Sequence, residues 1–146
     1  MDKRIAKALA EAEVLSSMPE SDREGLAGIA VIEEREESEI LVSEGERGED
    51  LYLIVEGRAG VSAKIGGESR HLASLQPGDY FGEMAAMSGH RRHATVVALT
   101  DLVVVRFPRE PLEVFLDDFP YVRLKLEEVG ARRFLEDAER ELNGER

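Results

Sequence analysis

The chain has no cysteine and no tryptophan among its 146 residues. Without cysteine there can be no disulfide, thiolate metal site or iron–sulfur cluster, and the absence suits a reducing compartment. Histidine is scarce too: His71, His90 and His93 form no His-x-His pair, so the ligand set of a metalloenzyme is missing and no metal is expected. Ser88-Gly89-His90 lacks the strand-to-helix setting of a nucleophile elbow, and nothing else marks an enzyme. Positive charge is in short supply, with 19 Lys and Arg against 31 Asp and Glu and a net charge of −12. Phosphate-backbone contacts need a basic footprint, so nucleic acid is not an expected partner. No apolar run approaches the ~20 residues that span a bilayer. The start, Met1 to Lys7, is charged and amphipathic, without the apolar centre of a signal peptide. The expectation is a cytoplasmic protein with no membrane contact.

What is present reads as one domain with three parts: an N-terminal helical segment over 1–30, a β-rich body over 31–107, and C-terminal helices over 108–146. Ile5, Ala8, Leu9, Ala12 and Leu15 recur at helical spacing, and Ser17-Met18-Pro19 ends that pattern. Ser21, three residues before Glu24, has the spacing of a capping box and predicts a second helix start. From Val31 the pattern turns to short β-prone runs at 31–32, 40–42, 51–55, 59–63, 71–75, 95–99 and 102–107. Gly57, Gly66-Gly67 and Pro77-Gly78-Asp79 punctuate them. Many short strands with regular turns predict a sandwich or barrel, here a β-roll. Pro111 suits a first helical turn, and Leu112, Phe115 and Leu116 give that segment one apolar face. A longer helix is expected over 121–142, with Gly130 inside it as a candidate hinge. No helix-turn-helix is expected after it.

Residues 80–97 carry the chemistry. Gly82 allows close backbone approach because it has no Cβ. If Met84 to Met87 make a helical turn, their first N–H groups form an anion site. An arginine supplies a planar fork for phosphate oxygens. Glu83 repels a phosphate but accepts hydrogen bonds from sugar hydroxyls. Phosphate together with sugar hydroxyl means a nucleotide.

Phe81-Gly82-Glu83-Met84-Ala85-Ala86, followed by Arg92-His93-Ala94-Thr95-Val96, resembles the phosphate-binding cassette of cyclic nucleotide-binding domains, with the Glu-to-Arg spacing of the kinase-type version. Upstream, the run from Gly45 through Gly48 and Tyr52 to Gly57 resembles a second signature of that family. Together the motifs and the strands between them cover roughly residues 15–140. The resemblance implies a fold that is mainly β with flanking helices: a double-stranded β-helix, or jelly-roll-like β-roll, with a short phosphate-binding helix and a C-terminal helical lid.

The resemblance also implies site residues. Arg92 would grip the phosphate, Glu83 would accept from the ribose 2′-hydroxyl, and Ala85 would offer its backbone N–H. Phe81, Gly82, Met84, His93, Ala94 and Thr95 complete the ligand-binding set. Arg132, Arg133, Phe134 and Asp137 are lid candidates, where relatives bring a long helix over the ligand. His93 departs from the alanine or threonine that relatives carry after the arginine, and it is read as facing solvent or making a minor contact. Gly45, Gly48 and Gly57 read as turn residues. The acidic stretch from Glu33 to Asp50 has no calcium-ligand spacing and reads as a solvated edge. The implied function is a non-enzymatic sensor of cAMP, with cGMP second, that repositions its C-terminal helices and signals to an effector protein or a homodimer. The alternatives are a nucleotide-free structural or oligomerisation module of the same fold, and a sensory fragment of a larger regulator or channel.

Overall fold

A computed structural model describes residues 2–12, 15–48, 50–82, 92 and 94–128. Helix α1 (Lys3–Glu11) opens on Asp2, whose carboxylate accepts from the Arg4 N–H and caps the first turn. Helix α2 (Glu20–Ala27) differs from the expected capping box. Pro19 is its N-cap, no side chain caps it, and Ser21 and Glu24 both lie inside the helix. Proline's fixed φ, here −57°, already suits a helix entry, so the helix starts before the serine.

Eight strands follow: β1 (Val31–Arg35), β2 (Ile40–Val42), β3 (Leu51–Glu56), β4 (Ala59–Ile65), β5 (Glu68–Leu75), β6 (Tyr80–Phe81), β7 (Thr95–Ala98) and β8 (Leu102–Phe107). They form two four-stranded sheets, in the orders β1-β8-β3-β6 and β2-β7-β4-β5, and every pairing is antiparallel. Apart from the β4–β5 hairpin, consecutive strands pass from one sheet to the other, which makes the β-roll. Gly66 and Gly67 have φ of +62° and +84°, the paired positive values that a two-residue hairpin turn between β4 and β5 needs. The short β6 inside the cassette was not among the strands read from the sequence; only its pairing with Tyr52 and Leu53 makes it one.

β3 explains how the body is layered. Side chains alternate across a strand, and both faces of β3 are covered. Leu51 and Leu53 join Val105, Phe107 and the helices in one apolar core. Tyr52 and Ile54 join Leu102, Val104, Val96 and Phe81 between the two sheets in another. Helix α3 (Arg109–Asp118) buries Leu112, Phe115 and Leu116 against the first core. Helical backbone then runs over 120–128, where Val122 and Leu126 are buried. The Tyr80 hydroxyl donates to the Leu126 carbonyl at 3.3 Å and joins β6 to this last helix. Gly130 and the rest of the expected helix lie outside the described residues. Among the described residues no helix is long and apolar enough to cross a membrane.

Candidate functional site

Among the described residues the buried charged one is Arg92, with 7% of its surface exposed. Its backbone is pinned to the turn after β2. The Arg92 N–H donates to the Glu46 carbonyl, and the Gly45 N–H donates to the Arg92 carbonyl, each at 2.9 Å. Its guanidinium donates to the carbonyl of Asp50 at 2.9 Å and to that of Gly82 at 3.4 Å. One side chain thus draws together the β2–β3 loop and the end of β6. Two carbonyls orient a group that carries five donors in a rigid fork.

Two glycines make room for it. A β-carbon on Gly48 would run into the Arg92 guanidinium, and one on Gly82 would strike both Arg92 and the Asp50 carbonyl. Gly82 also has a φ of +92°, which side-chain-bearing residues rarely adopt. Gly48 was read as a turn residue; its φ is not positive, and its missing side chain is what lets Arg92 lie flat.

Beside Arg92 opens a cavity of about 470 Å³, lined by Leu41, Val42, Ser43, Glu46, Arg47, Gly48, Asp50, Tyr52 and Arg92. Small-molecule sites have roughly 300–1,000 Å³. One wall is apolar, from β2, and the other carries the charge. Tyr52 closes the inner end, stacked on Phe81 with ring centroids 4.9 Å apart and planes 5° apart. Burial first, then the charges of Asp50 and Glu33, pushes the Tyr52 hydroxyl above the ordinary tyrosine pKa and keeps it neutral.

Behind the cavity runs a line of alternating charges. Glu39 pairs with Arg35 at 3.0 Å, Arg35 with Glu33 at 3.3 Å, Glu33 with Arg106 at 3.1 Å, and Arg106 with Asp50 at 3.1 Å. Burial works against the Arg106 charge, but its hydrogen bonds to Asp50 and Glu33 outweigh that and raise its pKa. Glu34, Glu36, Glu37, Glu39 and Glu46 are exposed, as a solvated edge requires, and the reading is corrected for Glu33 and Asp50. β1 is an edge strand, yet Glu33 and Asp50 are part-buried and ion-paired, because β8 brings Arg106 between them.

The structure brings Phe81, Gly82 and Arg92 together. Phe81 does not line the cavity but backs Tyr52. Thr95 turns its hydroxyl to the Glu44 N–H at 2.9 Å and fixes the loop that leads to Arg92's backbone partners. Ala94 is half-buried beside it. Glu83, Met84, Ala85 and His93, and the lid candidates Arg132, Arg133, Phe134 and Asp137, lie outside the described residues. Among the described residues no cluster of three or more His, Cys, Asp or Glu could hold a metal ion. Sequence reasoning missed Asp50 and Tyr52 as site residues, although both stand inside the Gly45–Gly57 signature.

The family model for the cyclic nucleotide-binding domain matches residues 32–119, and the chain belongs to that family. It is 36% identical over 108 residues to a cAMP-dependent protein kinase regulatory subunit of Yarrowia lipolytica, a match covering 74% of this chain and 28% of that protein. Over 114 residues it is 33% identical to a cGMP-dependent protein kinase of Toxoplasma gondii, covering 78% of this chain and 11% of the kinase. Its fold matches the crystal structure of the Thermus thermophilus catabolite activator protein with a TM-score of 0.78 at 27% identity, over 89% of this chain and 61% of that one. The chain spans less than a third of either kinase-system relative.

Proposed function

We propose that this chain is a non-enzymatic cyclic nucleotide sensor that takes cAMP ahead of cGMP. The observation that carries the reading is Arg92: a buried guanidinium at the wall of a ligand-sized cavity, held by two backbone carbonyls and given space by two glycines. A buried guanidinium at a cavity wall suits a site whose ligand brings an anion, because charge-assisted hydrogen bonds to an oxyanion are strong and geometrically specific. A nucleotide-free structural module would need no such cavity beside it. The cyclic phosphate would sit on Arg92, the ribose on Glu83, and the base along Leu41 and Val42. Relatives named for dependence on cAMP and on cGMP support a cyclic nucleotide and leave both bases in view.

In this reading residues 31–107 are the ligand-holding roll, with 80–97 as its cassette. Residues 1–30 and 108–146 are the helical parts whose pose responds, and Arg132, Arg133, Phe134 and Asp137 come over the base. A ligand shifts such an equilibrium only by its differential affinity for the two poses. An effector protein or a second copy of the chain reads the change, in the cytoplasm, with no metal and no nucleic acid involved. Calorimetry with cAMP, cGMP and cyclic di-GMP tests it. Saturable binding of cAMP is expected, with weaker binding of cGMP and none of the dinucleotide. Absence of heat with all of them would sink the proposal.

A further inference from the structure

Helix α3 begins without a cap of its own. Its N-cap residue is Pro108, which has no side-chain acceptor, and its first turn reads Arg109-Glu110-Pro111. The first N–H groups of a helix need acceptors from elsewhere. The Arg109 N–H finds one in Asp50, whose Oδ1 accepts it at 3.1 Å across 59 residues of sequence. A carboxylate there also matches the positive end of the helix dipole. The other oxygen, Oδ2, is held by Arg106 at 3.1 Å, and Arg106 is held in turn by Glu33. The same residue's carbonyl accepts from Arg92 at 2.9 Å. Asp50 therefore has both its polar groups engaged: the main chain toward the anion site, the side chain toward α3.

We propose that Asp50 is the positioning residue that ties the Arg92 site to the start of helix α3. Any movement of Arg92 toward an incoming anion is felt at the Asp50 carbonyl. That group lies a few covalent bonds from the carboxylate that caps the helix. Arg106 keeps the carboxylate from swinging away, so the shift reaches the first turn of α3 instead of being lost in a rotamer change. Coupling of this kind is reciprocal. Altering Arg92 must loosen the α3 start even when no ligand is present, and removing the cap must change what Arg92 does. The ligand-dependent half of the idea rests on the cyclic nucleotide reading, whereas the ligand-free half does not.

Amide hydrogen exchange on the full chain tests both halves. Without ligand, Asp50→Ala should raise exchange at Arg109, Glu110, Leu112 and Glu113 by about threefold or more, as loss of a helix cap requires. The β4–β5 hairpin should stay as in the native protein. Arg92→Ala should loosen the same α3 amides, and the double variant should be no looser than Asp50→Ala alone. Asp50→Asn, whose side-chain oxygen can still accept from Arg109, should recover most of the protection. Should Asp50→Ala fail to fold, Arg106→Gln takes its place in the cycle and should loosen the same amides. With saturating cAMP the native α3 amides should change protection, and in Asp50→Ala that response should fall by half or more while cAMP still binds. If Arg92→Ala leaves α3 as it was, or if the two variants add fully, the coupling is wrong whether or not cAMP binds. If the native protein binds no cAMP, the nucleotide reading fails while the ligand-free cycle still decides the role of Asp50.

Discussion

Gly48 faces the Arg92 guanidinium with no room for a β-carbon between them: one placed there would sit 2.9 Å from Nη2 and 3.1 Å from Cζ. What it would meet is the far end of a flexible side chain, which can move aside. At Gly82 the obstacle includes the Asp50 carbonyl, at 2.6 Å, and the backbone has a φ of +92°. The two substitutions should therefore fail differently. Gly48→Ala should displace Arg92 and weaken nucleotide binding by ~1.4 kcal/mol or more, about tenfold, with a smaller loss of stability than Gly82→Ala. Gly82→Ala should cost ~1–3 kcal/mol of stability, because the backbone itself is strained. Calorimetry and urea unfolding of the two variants check the contrast; equal stability losses would refute it.

Arg92→Ala should cost at least ~2–3 kcal/mol of nucleotide binding, as expected for a charge-assisted bidentate pair. Arg91→Ala, one residue outside the motif, should cost under ~1 kcal/mol. Equal losses in a titration of both variants would put the cassette out of register by one residue.

Local patterns made most of the fold legible. The strands of the roll other than β6 follow short β-prone runs and glycine turns, and Leu112, Phe115 and Leu116 face inward as their spacing requires. Arg92 was legible through its motif. Asp50 was not, because its role exists only once β8 supplies Arg106 and α3 supplies an uncapped N–H, both more than fifty residues away. Gly48 was misread for a related reason: a missing side chain has meaning only when its neighbour in space is known. The capping box at Ser21 lost to Pro19, whose ring had already set the helix entry.

The Tyr52 hydroxyl gives a pH test. Burial, then Asp50 and Glu33, raises its folded pKa above the unfolded value of about 10. Its contribution to stability is thus fully present below about pH 10 and is lost as the pH climbs through the folded pKa. Tyr52→Phe has no such group, so its stability should decline less steeply than the native protein's in that alkaline range. Parallel slopes in urea midpoints against pH would remove Tyr52 from the explanation.

Glu83, as the sugar acceptor, should separate ribose from deoxyribose. Native protein should bind 2′-deoxy-cAMP ~1–3 kcal/mol more weakly than cAMP, since a carboxylate loses its hydroxyl partner. In Glu83→Gln the gap should narrow. A gap of unchanged size in competition binding would take Glu83 out of the sugar site.

The choice of base turns on the position after the phosphate arginine. Sites in this family that select cGMP place a threonine hydroxyl there, and this chain has His93 instead. Thr95 lies two residues further on, where its hydroxyl accepts from the Glu44 N–H at 2.9 Å. With no threonine directly after the arginine, cAMP should bind more tightly than cGMP. If His93 faces water, His93→Ala should leave both affinities within ~0.5 kcal/mol, the usual range for surface changes. If its imidazole meets the ligand, affinity should rise as the pH falls through about 6.5, since protonation adds positive charge beside a phosphate. The first outcome is expected: a flat pH profile from pH 5.5 to 7.5, about one unit either side of the histidine pKa, with cAMP preferred in both proteins. Tighter binding of cGMP by the native protein would overturn the base assignment and make His93 the residue that reads the purine.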